Sequence, residues 1–228
     1  MTVDDAAHLR ATRAQAYESL RPEVAELVPA AARRVLDLGC ASGALGAALR
    51  ARQGAEVVGV ELDPVYAEAA RGRLDRVVEG DVEELAARDD LPEQLGRFDC
   101  VVAADVLEHL RDPWAALGAF AGLLEPGGQA VVSLPNVRFW TTLWWVGARG
   151  TWPRRHQGVC DRDHLRWFTR TDALALLRGA GLEPIAVRAR YGWGHEPRRL
   201  DRLAPVLGRT PLRELFAYQY VIAARRRG

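Results

Sequence analysis

An α/β fold with a doubly wound, mostly parallel sheet is what this sequence predicts, on three observations. From Arg34 onward, short apolar runs of β character alternate with helical stretches, the pattern of strands buried on both faces beneath crossover helices. The first such run breaks into a turn holding Gly39 and Gly43 just before a helix, where sheets of this kind open a ligand crevice. The last two β runs follow each other directly, so an antiparallel hairpin is expected at the sheet edge.

In order, residues 5 to 28 read as one or two amphipathic helices, with Pro22 able to open the second because a first helical turn does not need its missing N–H. Strands are expected at Arg34 to Leu38, Glu56 to Val60, Arg76 to Glu79, Phe98 to Ala103, Gln129 to Leu134, Pro184 to Tyr191 and Ala217 to Ala224. Helices are expected near Ala44 to Arg52, Pro64 to Arg73, Pro113 to Leu124 and Thr171 to Gly179. The 228 residues suit one domain. It divides into a helical cap (1–32), a core (33–134), an aromatic and basic lid (135–170), and a last helix with an edge hairpin carrying an Arg-rich insert (171–228).

Composition narrows the function classes. Apolar residues at 49% and charged residues at 27% describe a globular chain and exclude a disordered or fibrous one. Cys40, Cys100 and Cys160 lie far apart without a CxxC pair, so neither a disulfide framework nor a metal centre is expected. With no signal-like or membrane-spanning run, a cytoplasmic location is expected. All 31 basic residues are Arg, which excludes lysine Schiff-base chemistry. Residues 1 to 133 carry 13 Arg against 23 acids, and residues 134 to 228 carry 18 Arg against 7, a basic half suited to steering an anionic acceptor.

Four motifs follow in order. VLDLGCASGALG, Val35 to Gly46, runs from buried strand to glycine turn to helix, so backbone N–H groups can meet an anionic ligand group. Glu61 follows the next strand, about 20 residues on, where a carboxylate holds two ribose hydroxyls. Gly80, Asp81 and Val82 follow the third strand, within reach of an adenine amino group. Asp105, Glu108 and His109 lie past the carboxyl end of the fourth, the edge where open α/β sheets bind ligands.

Together these segments resemble the class I S-adenosylmethionine-dependent methyltransferases, which have a Rossmann-like seven-stranded sheet with a C-terminal antiparallel hairpin. The resemblance implies S-adenosyl-L-methionine as cofactor, its methionine part held by Asp37, Gly39, Cys40, Ala41 and Gly43, its ribose by Glu61 and Leu62, and its adenine by Gly80, Asp81 and Val82. Ala104 and Asp105 would close beneath the sulfonium. Ala41 departs from the family's pattern, standing where a second Gly is usual. The stretch Gly158 to Pro184 resembles a small-molecule subgroup associated with glycan and secondary-metabolite pathways. O-methylation of a small or medium-sized acceptor is therefore the expected activity.

His109 and His164 are the candidate catalytic bases, since imidazole titrates near neutral pH; in-line methyl transfer also proceeds by alignment alone. Trp140, Trp144, Trp145 and Trp152 with Arg149, Arg154 and Arg155 suit a substrate lid, and suit a peripheral membrane contact as well. No nucleic-acid module accompanies the basic half, which argues against RNA or DNA. A catalytically silent cofactor-binding partner is the alternative from another class, and an NAD-dependent oxidoreductase a more distant one. The oligomeric state is left open.

Overall fold

The structure is a computed structural model, which describes residues 18–191, 206, 209–210 and 212–227. Its centre is a seven-stranded sheet: β1 (Arg34–Leu38), β2 (Glu56–Glu61), β3 (Arg76–Glu79), β4 (Phe98–Ala104), β5 (Leu124–Pro135), β6 (Leu182–Tyr191) and β7 (Ala217–Arg226). The spatial order is β3-β2-β1-β4-β5-β7-β6. The first five strands pair in parallel, and β7 lies antiparallel to both β5 and β6. The expected hairpin is present, with β6 at the edge.

Strand alternation divides the apolar residues between two faces. Leu36, Leu38, Val58, Val60, Val101 and Ala103 point to one core, and Val35, Val57, Cys100 and Val102 to the other. The first core is covered by α6 (Pro113–Ala121) through Leu117 and Phe120, and by α8 (Arg170–Gly179) through Leu176 and Leu177. The second is covered by α2 (Ala44–Gln53) through Leu45 and Leu49, by Ala70 of α3 (Pro64–Arg71), and by Val24 of α1 (Pro22–Ala25).

Local chemistry starts these helices. Asp63 precedes Pro64 and accepts from the Val65 N–H at 2.9 Å, and Asp112 precedes Pro113 and accepts from the Ala115 N–H at 3.0 Å, both N-caps with proline in the first turn. Thr169 and Asp172 form a reciprocal capping box on α8. Two short helices, α4 (Val82–Ala86) and α5 (Leu91–Leu95), fill the β3–β4 crossover.

Several boundaries differ from the sequence expectation. Pro22 does open a helix, but α1 has only four residues, and residues 5–17 of the expected cap lie outside the described residues. The helix expected to reach Leu124 stops at Ala121, because Leu124 is drawn into β5 to pair with Phe98 before the chain bulges. In the expected lid, a short helix α7 (Trp140–Leu143) passes into a π-helical turn, Trp144–Ala148. Much of the Arg-rich insert expected between Arg188 and Arg209 lies outside the described residues. Among the described residues, no helix is long and apolar enough to cross a membrane.

Candidate active site

Because β1, β2 and β4 run parallel and in register, with Leu38 beside both Val60 and Ala103, their carboxyl ends open onto one edge. A cleft of about 420 Å³ occupies it. Its lining includes the glycine turn, Glu61 and Asp81 at the ends of β2 and β3, the turn after β4, and Gln157, Gly158, Asp161 and His164.

The glycine turn requires its glycine. Gly39 has φ +65°, and a Cβ there would stand 2.5 Å from the Val106 Cγ2. Ala41 has φ 47°, so the residue that departs from the family pattern sits in the left-handed region where a side chain costs about 1 kcal/mol. Glu61 braces this turn: its two carboxylate oxygens accept from the N–H groups of Ala41 and Asp63, each at 2.8 Å. Burial pushes the Glu61 carboxyl above its ordinary range, partly offset by those backbone donors. Asp37 is 2% exposed, and its Oδ2 has no hydrogen-bond partner. Burial, reinforced by the Glu61 charge, pushes its pKa up to about 7.

Ten of the twelve residues assigned to the cofactor from sequence line the cleft: Asp37, Gly39, Cys40, Ala41, Glu61 and Leu62, with Asp81, Val82, Ala104 and Asp105. Gly43 and Gly80 do not. A Cβ on Gly43 would press on Leu74 and Ala70, so Gly43 lets α2 pack closely, and the Gly80 N–H donates to the Glu61 carbonyl at 2.9 Å. Asp81 also caps α4, its Oδ1 accepting from the Glu83 N–H at 2.7 Å.

Asp105 has φ 58° and is engaged by protein. Its Oδ2 accepts from Arg21, and its Oδ1 accepts from the Ser133 hydroxyl at 2.9 Å and from the Gln219 amide. Arg21 further donates to Glu23 and Ser133, and Arg190 joins Gln219 to Glu23 at 2.9 and 3.0 Å. This network ties the N-terminal segment to β4, β5, β6 and β7. Sequence reasoning missed Arg21, Arg190 and Gln219, which come from distant parts of the chain and belong to no motif.

His109 and His164 both line the cleft, with ring centroids 4.7 Å apart and the rings nearly perpendicular. Burial, then the neighbouring His109, lowers the His164 pKa. Glu108 is 1% exposed, and burial, then Asp105, raises its pKa well above the carboxylate range. The Glu108 carbonyl accepts from the N–H groups of Leu165 and Arg166 at 2.9 and 3.0 Å, which brings His164 to the turn after β4. Within the expected lid of residues 135–170, none of Trp140, Trp144, Trp145 and Trp152 lines the cleft, whereas Pro135, Gln157, Gly158, Asp161 and His164 do. Leu143, Trp144 and Val146 are exposed, and Arg149 and Arg155 stack on Trp145.

Comparison with known proteins agrees with this geometry. Residues 10–187 match the methyltransferase domain family. A ubiquinone biosynthesis O-methyltransferase of Xylella fastidiosa (strain 9a5c) is 41% identical over 114 residues, covering 50% of this chain and 46% of that protein; the chain spans about half the length of such relatives. A protein of the same name from Ralstonia nicotianae is 31% identical over 202 residues, covering 87% of this chain and 78% of its own. In fold, the chain is similar to the magnesium protoporphyrin IX methyltransferase of Synechocystis PCC 6803 crystallised with bound SAH, at a TM-score of 0.62 and 17% identity, covering 94% and 85% of the two chains. By sequence match, strand order and cleft, the chain belongs to the methyltransferase domain family, with the class I Rossmann-like fold that uses S-adenosyl-L-methionine.

Proposed function

We propose that this protein transfers a methyl group from S-adenosylmethionine to a hydroxyl oxygen of a small or medium-sized acceptor. One observation carries the reading: a single cleft joins the Glu61 and Asp81 carboxylates and the glycine turn to the Glu108, His109 and His164 cluster. The O-methyltransferase names of its relatives support an oxygen acceptor.

The residues fit the cofactor. The unpartnered Asp37 Oδ2 beside the glycine turn suits the ammonium of a methionine group. Glu61, held by two backbone donors, keeps lone pairs for two ribose hydroxyls. When bound, the cofactor supplies a methyl carbon on a sulfonium. The chain's own task is to bring the acceptor oxygen in line with that carbon and to exclude competing water. The bound cofactor would give its methyl carbon to the acceptor oxygen and keep the C–S electron pair on sulfur, and the hydroxyl proton would leave to solvent at the mouth of the cleft.

The exposed Leu143, Trp144 and Val146, flanked by Arg149, support a second element of the proposal, a peripheral contact with anionic lipid surfaces. The test of the main reading is incubation of the protein and S-adenosylmethionine with a panel of phenolic and sugar hydroxyl acceptors, followed by mass spectrometry. A product heavier by one methyl group, absent with Glu61→Ala, supports it; cofactor binding without transfer to any acceptor returns the chain to a silent partner.

A further inference from the structure

Tyr218 is placed by an irregularity in the sheet. Along the β6–β7 ladder, Arg190 pairs with Gln219 and Tyr191 with Ala217, so Tyr218 is an extra residue with no partner on β6. The β5–β7 ladder ends beside it, at Pro135 and Gln219. A bulge of this kind bends its strand and re-aims a side chain. Here the half-buried Tyr218 lines the cleft, and its backbone stays anchored by the Asn136 N–H, which donates to the Tyr218 carbonyl at 3.0 Å.

Two neighbours shape the space around its phenol. The Phe139 ring meets it edge-on, with centroids 5.6 Å apart and the planes perpendicular, which fixes the direction of the ring. Gly158 approaches the hydroxyl with φ +86°, and a Cβ there would stand 3.1 Å from the phenol oxygen, so the loop leaves that oxygen room because it carries glycine. Among the described residues, no protein group hydrogen-bonds this hydroxyl. Burial, then the Asp105 charge, pushes its pKa up to about 12. The hydroxyl therefore keeps its proton near neutral pH and offers one donor and two lone pairs.

Strand order separates Tyr218 from the residues expected to meet the cofactor. The glycine turn, Glu61 and Asp81 stand at the ends of β1, β2 and β3, whereas β5 and β7 lie on the other side of β4. We propose that Tyr218 binds the methyl acceptor, its phenol hydroxyl hydrogen-bonding the acceptor's own hydroxyl in the space that Gly158 leaves open. The inference rests on the methyl-transfer reading for its chemistry, and on the bulge, the Phe139 contact and Gly158 for its place. Tyr218 orients the acceptor oxygen and takes no proton from it. No motif marks the residue, because a bulge is set by strand pairing and not by local sequence.

The test measures methyl transfer by the full chain to the phenol or sugar that the wild type methylates fastest, with S-adenosylhomocysteine titrated alongside. Tyr218→Phe removes only the hydroxyl and keeps the ring against Phe139. KM for that acceptor should rise about three- to tenfold, the range of one neutral hydrogen bond, with kcat within about twofold and S-adenosylhomocysteine affinity unchanged. Gly158→Ala crowds the same hydroxyl and should also raise KM, by less in the Tyr218→Phe background than alone. It keeps the test decisive should Tyr218→Phe not fold, which thermal melts report. An unchanged KM in a folded variant, or a loss of S-adenosylhomocysteine affinity in Tyr218→Phe, overturns the assignment, while transfer by the wild type leaves the methyl-transfer reading standing. If the wild type binds S-adenosylhomocysteine but methylates no phenol or sugar, that reading falls and takes this inference with it.

Discussion

Arg21 and Asp105, 84 residues apart in sequence, form an ion pair at 2.5 Å beside the carboxyl end of β4. This contact joins the short helix α1 to the strand whose end forms part of the cleft. Burial works to raise the Asp105 pKa, but Arg21, Ser133 and Arg190 together outweigh it and hold the carboxyl below its ordinary value. Its stabilisation is therefore full above the unfolded Asp pKa of about 3.9 and is lost as pH falls through the lower folded value. Arg21→Ala should destabilise the fold by about 2–3 kcal/mol near neutral pH, less than a fully buried pair because Asp105 keeps some solvent contact. Thermal melts at pH 7 and pH 3 should show the variant's deficit shrinking at the lower pH.

At Gly39, an added Cβ meets Val106 at 2.5 Å, and φ is already +65°. Gly39→Ala should cost about 2 kcal/mol or more through strain and overlap together. Combining it with Val106→Ala should recover the overlap part and leave the strain, a non-additivity that chemical denaturation of the single and double variants measures.

Ala41 presents the opposite case. With φ 47° it is a side chain in glycine's territory, so Ala41→Gly should leave stability level or raise it by up to about 1 kcal/mol. Denaturation midpoints check this; a clear loss of stability would show that the Ala41 methyl packs favourably.

Glu61 is expected to serve both turn and cofactor. Glu61→Ala removes the acceptor of the Ala41 and Asp63 N–H groups. It should weaken S-adenosylhomocysteine binding by at least tenfold, as expected for hydrogen bonds to a charged group worth about 1.5–3 kcal/mol, and lower the melting temperature too. Trp144→Ser, by contrast, lies outside the cleft and should leave that affinity unchanged while reducing co-sedimentation with anionic vesicles.

The fold was legible because its signals are local. Alternating apolar runs, Asp63 and Asp112 before prolines, and the glycine turn each declare themselves within a few residues, and parallel pairing then places the ends of β1, β2 and β4 together. The acids expected to meet the cofactor reach the cleft for the same reason: Glu61 ends β2, and Asp81 and Asp105 lie within two residues of the ends of β3 and β4. The other lining was only partly legible: His109 and His164 stand out by their chemistry, but Arg21, Arg190 and Gln219 reach the cleft only through tertiary packing, and within the expected lid of residues 135–170 it is Gln157, Gly158, Asp161 and His164, not the Trp residues, that line it. Gly43, which a motif assigns to the cofactor, gives α2 room against Leu74.

The central claim is most directly tested by isothermal titration of the purified protein with S-adenosylhomocysteine and, separately, with NADH. The account predicts micromolar binding of S-adenosylhomocysteine, lost or strongly weakened in Glu61→Ala, and no binding of NADH. Binding of NADH alone, or of neither ligand, would contradict it.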